Sequence, residues 1–220
     1  MASIAVIGGT GDLGKGIVRR LAKAGHDVTI GSRAAEKAKA AAEEMASLGL
    51  TLGHAANEDA AVGKDIVIVT VPYESQASTL NLIKDKVGNA VVVDTTVPLM
   101  PPKVMRVQLP AVGCAALEAK AILGENVRLV TAFHNVSGHL LDSDHKIDCD
   151  VLVFGDDVEA RKAVIELCPG MGLRGLSGGS LITSAAAEAL TSILIYMNKT
   201  YKGDGAGIRF TNLAEAPAIP

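Results

Sequence analysis

Short apolar runs recur along this chain, each followed by a stretch with helical spacing. Ser3–Ile7 reads as a buried strand, and Leu13, Ile17 and Leu21 follow at helix spacing up to Gly25. Asp27–Ile30 predicts a second strand, and Ala34–Leu48 an Ala-, Lys- and Glu-rich helix stopped by Gly49. Thr51–His54 predicts a short third strand, with Asn57 placed to cap a brief helix through Ala61. Ile66–Val71 is strand-like, Gln76–Lys86 is helical, and Ala90–Asp94 supplies a fifth strand. The strands are continuously apolar rather than alternating, which predicts a parallel sheet covered by helices on both faces.

The pattern then loosens. Thr95–Pro110 carries four prolines and reads as a long connection. Cys114–Leu123 predicts a helix closed by Gly124, and Arg128–Thr131 a sixth strand. Val151–Phe154 looks like an outlying strand and Asp157–Cys168 a helix, followed by a glycine-rich stretch at Pro169–Gly179. A last helix is expected from Leu181 to Lys199, after which Gly203, Gly205 and Gly207 should loosen the chain before Ile208–Phe210. The tail at 214–220 is expected to fray.

Composition narrows the class. The 220 residues are 49% hydrophobic and 20% charged with a formal net charge of −3, which suits a globular chain. There is no basic block, no tryptophan and only 3% aromatic residues, so neither a nucleic-acid footprint nor stacking platforms are expected. The three cysteines have no CxxC or Cys/His spacing, which points to reduced thiols in a cytoplasm and to no metal centre. No cationic-then-apolar leader pattern opens the sequence, and Ala185–Met197 is short and interrupted by Glu188, Thr191 and Ser192, so no membrane partner is expected.

The first loop carries the chemistry. Gly9, Gly11 and Gly14 form G-x-G-x-x-G between a predicted strand and a predicted helix, with Thr10, Asp12 and Leu13 between them. In that setting Gly9 allows a tight turn, Gly11 lets backbone approach a pyrophosphate, and Gly14 packs helix on strand. The helix start adds free N–H donors; a plain glycine turn is the alternative. At the second strand's tip, where an NAD site places an acid, stands Gly31-Ser32-Arg33, with Lys37 four residues beyond Arg33. A guanidinium and a hydroxyl there select a 2′-phosphate, hence NADP, against the alternative of solvated charge. The expected fold is therefore α/β: a Rossmann-type, doubly wound, mostly parallel sheet over residues 1–135, with a small C-terminal α-helical annex over 136–220.

These residues make a recognisable set. The start I-A-V-I-G-G-T-G-D-L-G-K-G with Gly31-Ser32-Arg33 resembles the NADPH-dependent reductases of the deazaflavin coenzyme F420. The likeness continues through Val69–Pro72, Asp94–Pro98, Ala132–Val136, Val153–Asp157 and Glu188–Thr191, with the Rossmann part shared by some metalloreductases. The resemblance implies that Thr10, Gly11, Leu13, Ser32, Arg33, Lys37, Pro72 and Tyr73 surround NADP, together with Gly9, Asp12, Gly14 and Val71. It implies that His134, Asn135, Val136 and the loop before the last helix, with Ser180 and Thr183, face a flavin-like co-substrate, coenzyme F420. Hydride then passes directly between stacked rings, with His134 as the residue nearest the chemistry. The family's Asn and Arg before Glu188 correspond to Thr183 and Ala185 here, and its Pro after Val136 to Ser137 and Gly138.

His139 and His145 lie in a polar loop with Asp142, Asp144 and Asp148, in no ligand spacing. Ser177–Ser180 reads either as a clasp over the second substrate or as a helix cap. The last helix is apolar on more than one face and should pack on the nucleotide domain and on a second copy, giving a homodimer. Two other functions stay open: an NADPH-dependent reductase of another small conjugated or carbonyl substrate, and a non-catalytic NADP(H) redox sensor.

Overall fold

The structure, a computed structural model, describes residues 1–214, so most of the tail expected to fray lies outside the described residues. The first half of the chain alternates strictly. β1 (Ser3–Ile7), α1 (Asp12–Lys23), β2 (Asp27–Ser32), α2 (Ala35–Ala46), β3 (Gly53–Ala56), α3 (Asn57–Ala60), β4 (Ile66–Val69), α4 (Tyr73–Ile83) and β5 (Val91–Asp94) follow one another. α5 (Ala115–Leu123) and β6 (Arg128–Thr131) come after the proline-rich connection. The annex holds α6 (Gly138–Leu141), β7 (Asp150–Phe154), α7 (Val158–Leu167), β8 (Arg174–Gly179) and α8 (Ser184–Tyr201).

One eight-stranded sheet runs β3-β2-β1-β4-β5-β6-β7-β8. β1 to β6 are parallel, β7 is antiparallel to β6, and β8 runs parallel to β7. Strand side chains alternate between two cores, which is why the strands read as unbroken apolar runs. Ile4, Val6, Ile30 and Ile68 pack under Ile17, Leu21, Met45 and Val164, while Ile7, Val67, Val69 and Val92 pack under Leu80, Ile83 and Ala119. The chain leaves β1 toward β2 on one side and returns to β4 on the other. Ligands of open α/β sheets sit at such a switch, outside the carboxyl ends of the strands.

Four expectations need correction. Asn57 does not cap α3, whose N-cap is Ala56; its buried Oδ1 instead accepts the Gly8 N–H at 3.3 Å. The glycine-rich stretch at Pro169–Gly179, for which the pattern predicts no strand, ends in β8 (Arg174–Gly179), paired with β7. Gly205 and Gly207 do not loosen the chain: a Cβ on Gly205 would meet Leu140 Cδ1 at 2.7 Å, and one on Gly207 would meet Cys149 Sγ at 2.7 Å. They let the segment after α8 press onto the annex, where the Asp150 N–H donates to the Ile208 carbonyl at 2.8 Å.

The fourth concerns the last helix. Its helical stretch, Leu181–Tyr201, spans 21 residues, long and apolar enough by length and composition to cross a bilayer. Its middle is nevertheless committed to protein. Glu188 is buried, and its carboxylate accepts the N–H groups of Ala115 and Ala116 at 2.7 and 3.1 Å, capping α5 from another helix. The buried face is Ser184, Ala187, Glu188 and Ser192, while Ile193, Tyr196 and Met197 are exposed.

Candidate functional site

At the end of β1 the chain turns through Gly8, at φ +75°, so the left-handed turn belongs to Gly8 rather than to Gly9 as the spacing suggests. Gly9 lacks room for a side chain, since a Cβ there would lie 2.8 Å from the Val6 carbonyl. Gly14 is tighter still, with the Gly8 carbonyl, Gly9 Cα and Thr70 Oγ1 all 2.7 Å from its Cβ position. Gly11 differs. Its backbone, φ −81° and ψ 169°, suits any residue, and a Cβ would meet only the Gly8 carbonyl at 3.5 Å. The protein itself does not require a glycine there, and the bare backbone leaves the N terminus of α1 open to approach. The opening N–H groups of α1 have no acceptor within the helix and face the same space.

Ser32 ends β2 and is buried, while Arg33 and Lys37 are exposed. Among the described residues neither cation has an ion pair or side-chain hydrogen bond. Arg33 precedes the helix, whose N-cap is Ala34, and Lys37 lies in its first turn. Arg33 therefore lies outside the helix, so the four-residue spacing to Lys37 does not place the two on one helix face. Two uncompensated cations beside a helix N terminus are unfavourable unless an anion joins them.

From the Gly11 loop a cavity of about 800 Å³ opens across the carboxyl ends of β1, β4, β5 and β6. Its near wall includes Leu13, Thr70, Val71, Pro72 and Tyr73. The Thr70 and Thr95 hydroxyls donate to the Ile7 and Val69 carbonyls at 2.9 and 3.0 Å, stapling neighbouring strand tips. The Tyr73 hydroxyl donates to Glu118 Oε2 at 2.8 Å; burial and that carboxylate push its pKa up to about 12, so it stays a phenol. Asp94, at the tip of β5, is buried and accepts from Gln76 Nε2, the Thr96 hydroxyl and the Thr96 N–H. Burial raises its pKa despite those donors.

The far wall is formed by Phe133, His134, Val136 and Thr191. Phe133 is buried at φ +64°, a conformation that costs an L side chain about 1–2 kcal/mol. His134 is 7% exposed, and its Nε2 has no hydrogen-bond partner. Burial lowers its pKa to about 4, so the imidazole is neutral near pH 7. A buried ring nitrogen left unpaired on a cavity wall is what a polar ligand would satisfy.

Other sequence-predicted residues divide. Asn135 does not face the cavity: its Nδ2 donates to the Ala187 carbonyl at 2.9 Å and to Thr191 Oγ1 at 3.1 Å. Ser180 and Thr183 lie outside the cavity lining, exposed, with their hydroxyls 3.2 Å apart in the turn before α8. His139 reaches the cavity rim, where Nε2 stands 3.7 Å from Asp204.

Residues that sequence reasoning missed hold the annex in place. Arg20 donates to the carbonyls of Leu140, Leu141, Ser143, His145 and Met171, pinning the loop after His134 onto α1. Gly16 and Gly138 allow that contact, since a Cβ on Gly138 would meet the Leu13 N at 2.8 Å. Glu188 alone had a signal, a charged residue amid an apolar helix.

The unpaired histidine has a measurable consequence. Its folded pKa of about 4 lies below the ordinary 6.5, so the unfolded chain binds a proton the native state refuses. Stability is complete above pH 6.5 and falls as the pH drops toward about 4, by on the order of 3 kcal/mol. His134→Asn removes that component. The wild-type melting temperature should decline more steeply than the variant's across this window; parallel curves would refute the assignment.

A sequence profile described as NADP oxidoreductase coenzyme F420-dependent matches residues 3–98. The F420-dependent NADP reductase of Methanocaldococcus jannaschii is 41% identical over 221 residues, covering 96% of this chain and 98% of that protein. The F420-dependent NADP reductase of Methanothermobacter thermautotrophicus is 38% identical over 222 residues, covering 96% of each. Among solved structures, a hypothetical protein from Sinorhizobium meliloti superposes with a TM-score of 0.69 at 20% identity, covering 84% of this chain and 88% of that one. At that identity the likeness speaks for the fold alone.

Proposed function

The chain belongs to the F420-dependent NADP reductase family, and on that footing we propose that it carries a hydride between NADP(H) and the deazaflavin coenzyme F420. One observation carries the reading: a single cavity is lined both by Gly11 at the N terminus of α1 and by the buried His134 on its far wall.

The residues divide the work. The N terminus of α1 and the loop from Gly9 to Gly14 hold a pyrophosphate, and Ser32, Arg33 and Lys37 hold the 2′-phosphate. Val71, Pro72 and Tyr73 wall the nicotinamide side. His134 and Val136 face the second ring, where a neutral imidazole can hydrogen-bond a carbonyl or ring nitrogen. With both rings bound, NADPH would supply a hydride from nicotinamide C4 to deazaflavin C5, and a proton from solvent would be taken up at the deazaflavin N1 to complete the reduced form. The protein's part is to orient the rings and exclude water, with no covalent nucleophile.

Residues 136–214 complete the substrate half in this reading. The exposed Ile193, Tyr196 and Met197 of α8 are the contact with a second copy, giving a homodimer. The three free, buried cysteines fit a reducing cytoplasm.

Purified protein with NADPH, followed at the nicotinamide absorbance against F420, FMN, FAD, riboflavin and simple carbonyls, tests the reading. Turnover with F420 is the expected result. Turnover with a carbonyl alone would favour a reductase of another substrate, and NADPH binding without turnover would favour a redox sensor.

A further inference from the structure

Among the described residues, no side chain hydrogen-bonds the His134 ring. Its Nε2 is unpaired, and its ring contact is with Phe154, at 6.2 Å between centroids and tilted 55°. The ring's direction is therefore set by the packing around it and by the backbone that carries it. That backbone is strained, because Phe133 just before it sits at φ +64°. A tie from α8 opposes the relaxation. The Thr191 hydroxyl donates to the His134 carbonyl at 2.9 Å. Asn135 braces the tie, donating to both Thr191 Oγ1 and the Ala187 carbonyl.

Building on the hydride-transfer reading, we infer that Thr191 is a positioning residue, its hydroxyl clamping the strained Phe133–His134 turn so that His134 meets the second ring, with Asn135 as its brace. The signature Glu188–Thr191 then has two tasks one helical turn apart: Glu188 anchors α8 on α5, and Thr191 uses that anchorage to aim His134. Without the hydroxyl the turn can swing toward negative φ and carry the ring out of line. The phosphate loop and β2 tip are untouched by such a swing, so damage should fall on one substrate only.

The test compares wild type, Thr191→Val and Thr191→Ser, measuring kcat and KM for NADPH and for F420 separately. Valine keeps the shape and removes the hydroxyl; serine keeps the hydroxyl. Thr191→Val should lower kcat/KM for F420 by roughly 10- to 100-fold, the cost of a misplaced group, with NADPH binding unchanged. Thr191→Ser should recover most of that loss. Equal damage to both substrates, no damage in Thr191→Val, or a serine variant as impaired as valine would each overturn the inference. A wild-type protein that binds NADPH but ignores F420 would instead defeat the hydride-transfer reading.

Discussion

Gly11→Ala should abolish most NADP(H) affinity while the fold melts almost where the wild type does, and Gly14→Ala should do the reverse to stability. At Gly11 the added methyl meets the Gly8 carbonyl at 3.5 Å, an ordinary contact, in a backbone conformation alanine adopts freely. The cost to the fold is below about 1 kcal/mol, or about 2–4 °C for a chain of this size. The same methyl stands where a pyrophosphate must approach the α1 N terminus. Losing two charge-assisted hydrogen bonds there, each about 1.5–3 kcal/mol, weakens binding by roughly two orders of magnitude or more. At Gly14 the methyl would press on two backbone atoms and the Thr70 hydroxyl at 2.7 Å. Overpacking of that kind costs about 1–3 kcal/mol, so the melting temperature should drop by roughly 2–12 °C. Calorimetric titration with NADPH and thermal melts of the two variants separate the roles. A Gly11→Ala protein binding NADPH at wild-type strength would show that nothing docks over that backbone.

Arg33→Ala should lower the preference for NADPH over NADH by roughly 10- to 100-fold, entirely through weaker NADPH binding. The guanidinium is exposed and has no partner among the described residues, so its removal leaves no orphaned group and should not disturb stability. The effect should shrink at high salt, because an exposed cation–phosphate contact is screened. Lys37→Ala should act in the same direction with a smaller effect, as a point charge without bidentate geometry. Kd values for both dinucleotides across an ionic-strength series decide the matter. A variant that kept the wild-type preference would assign the 2′-phosphate to other residues.

These two predictions use residues that sequence alone could interpret. Glycine spacing after an apolar strand, and a cation in place of an acid at the tip of β2, have local meanings, because each depends on backbone within a few residues. Even there the division of labour among Gly8, Gly9, Gly11 and Gly14 needed the packing partners, since only Val6 and Thr70 reveal which glycine lacks room. His134 was legible as a residue past the end of a strand. Its isolation was not, because an unpaired Nε2 is a statement about every neighbour at once.

Asn135 shows the limit most clearly. By sequence it adjoins His134 and shares its expected role; in the fold its amide turns to α8, 52 residues away along the chain. Glu188, Thr191 and Arg20 likewise take their meaning from backbone groups 57 to 151 residues distant. β8 contains three glycines and carries no strand signal of its own; pairing with β7 supplies what propensity does not. From its sequence, then, this protein had a parallel α/β sheet, a dinucleotide loop and a preference for the phosphorylated cofactor, since periodicity and turn chemistry are encoded over short spans. The architecture of the cavity's far wall was decided by tertiary structure, because a hydrogen bond between distant segments leaves no mark on either segment until the chain has brought them together.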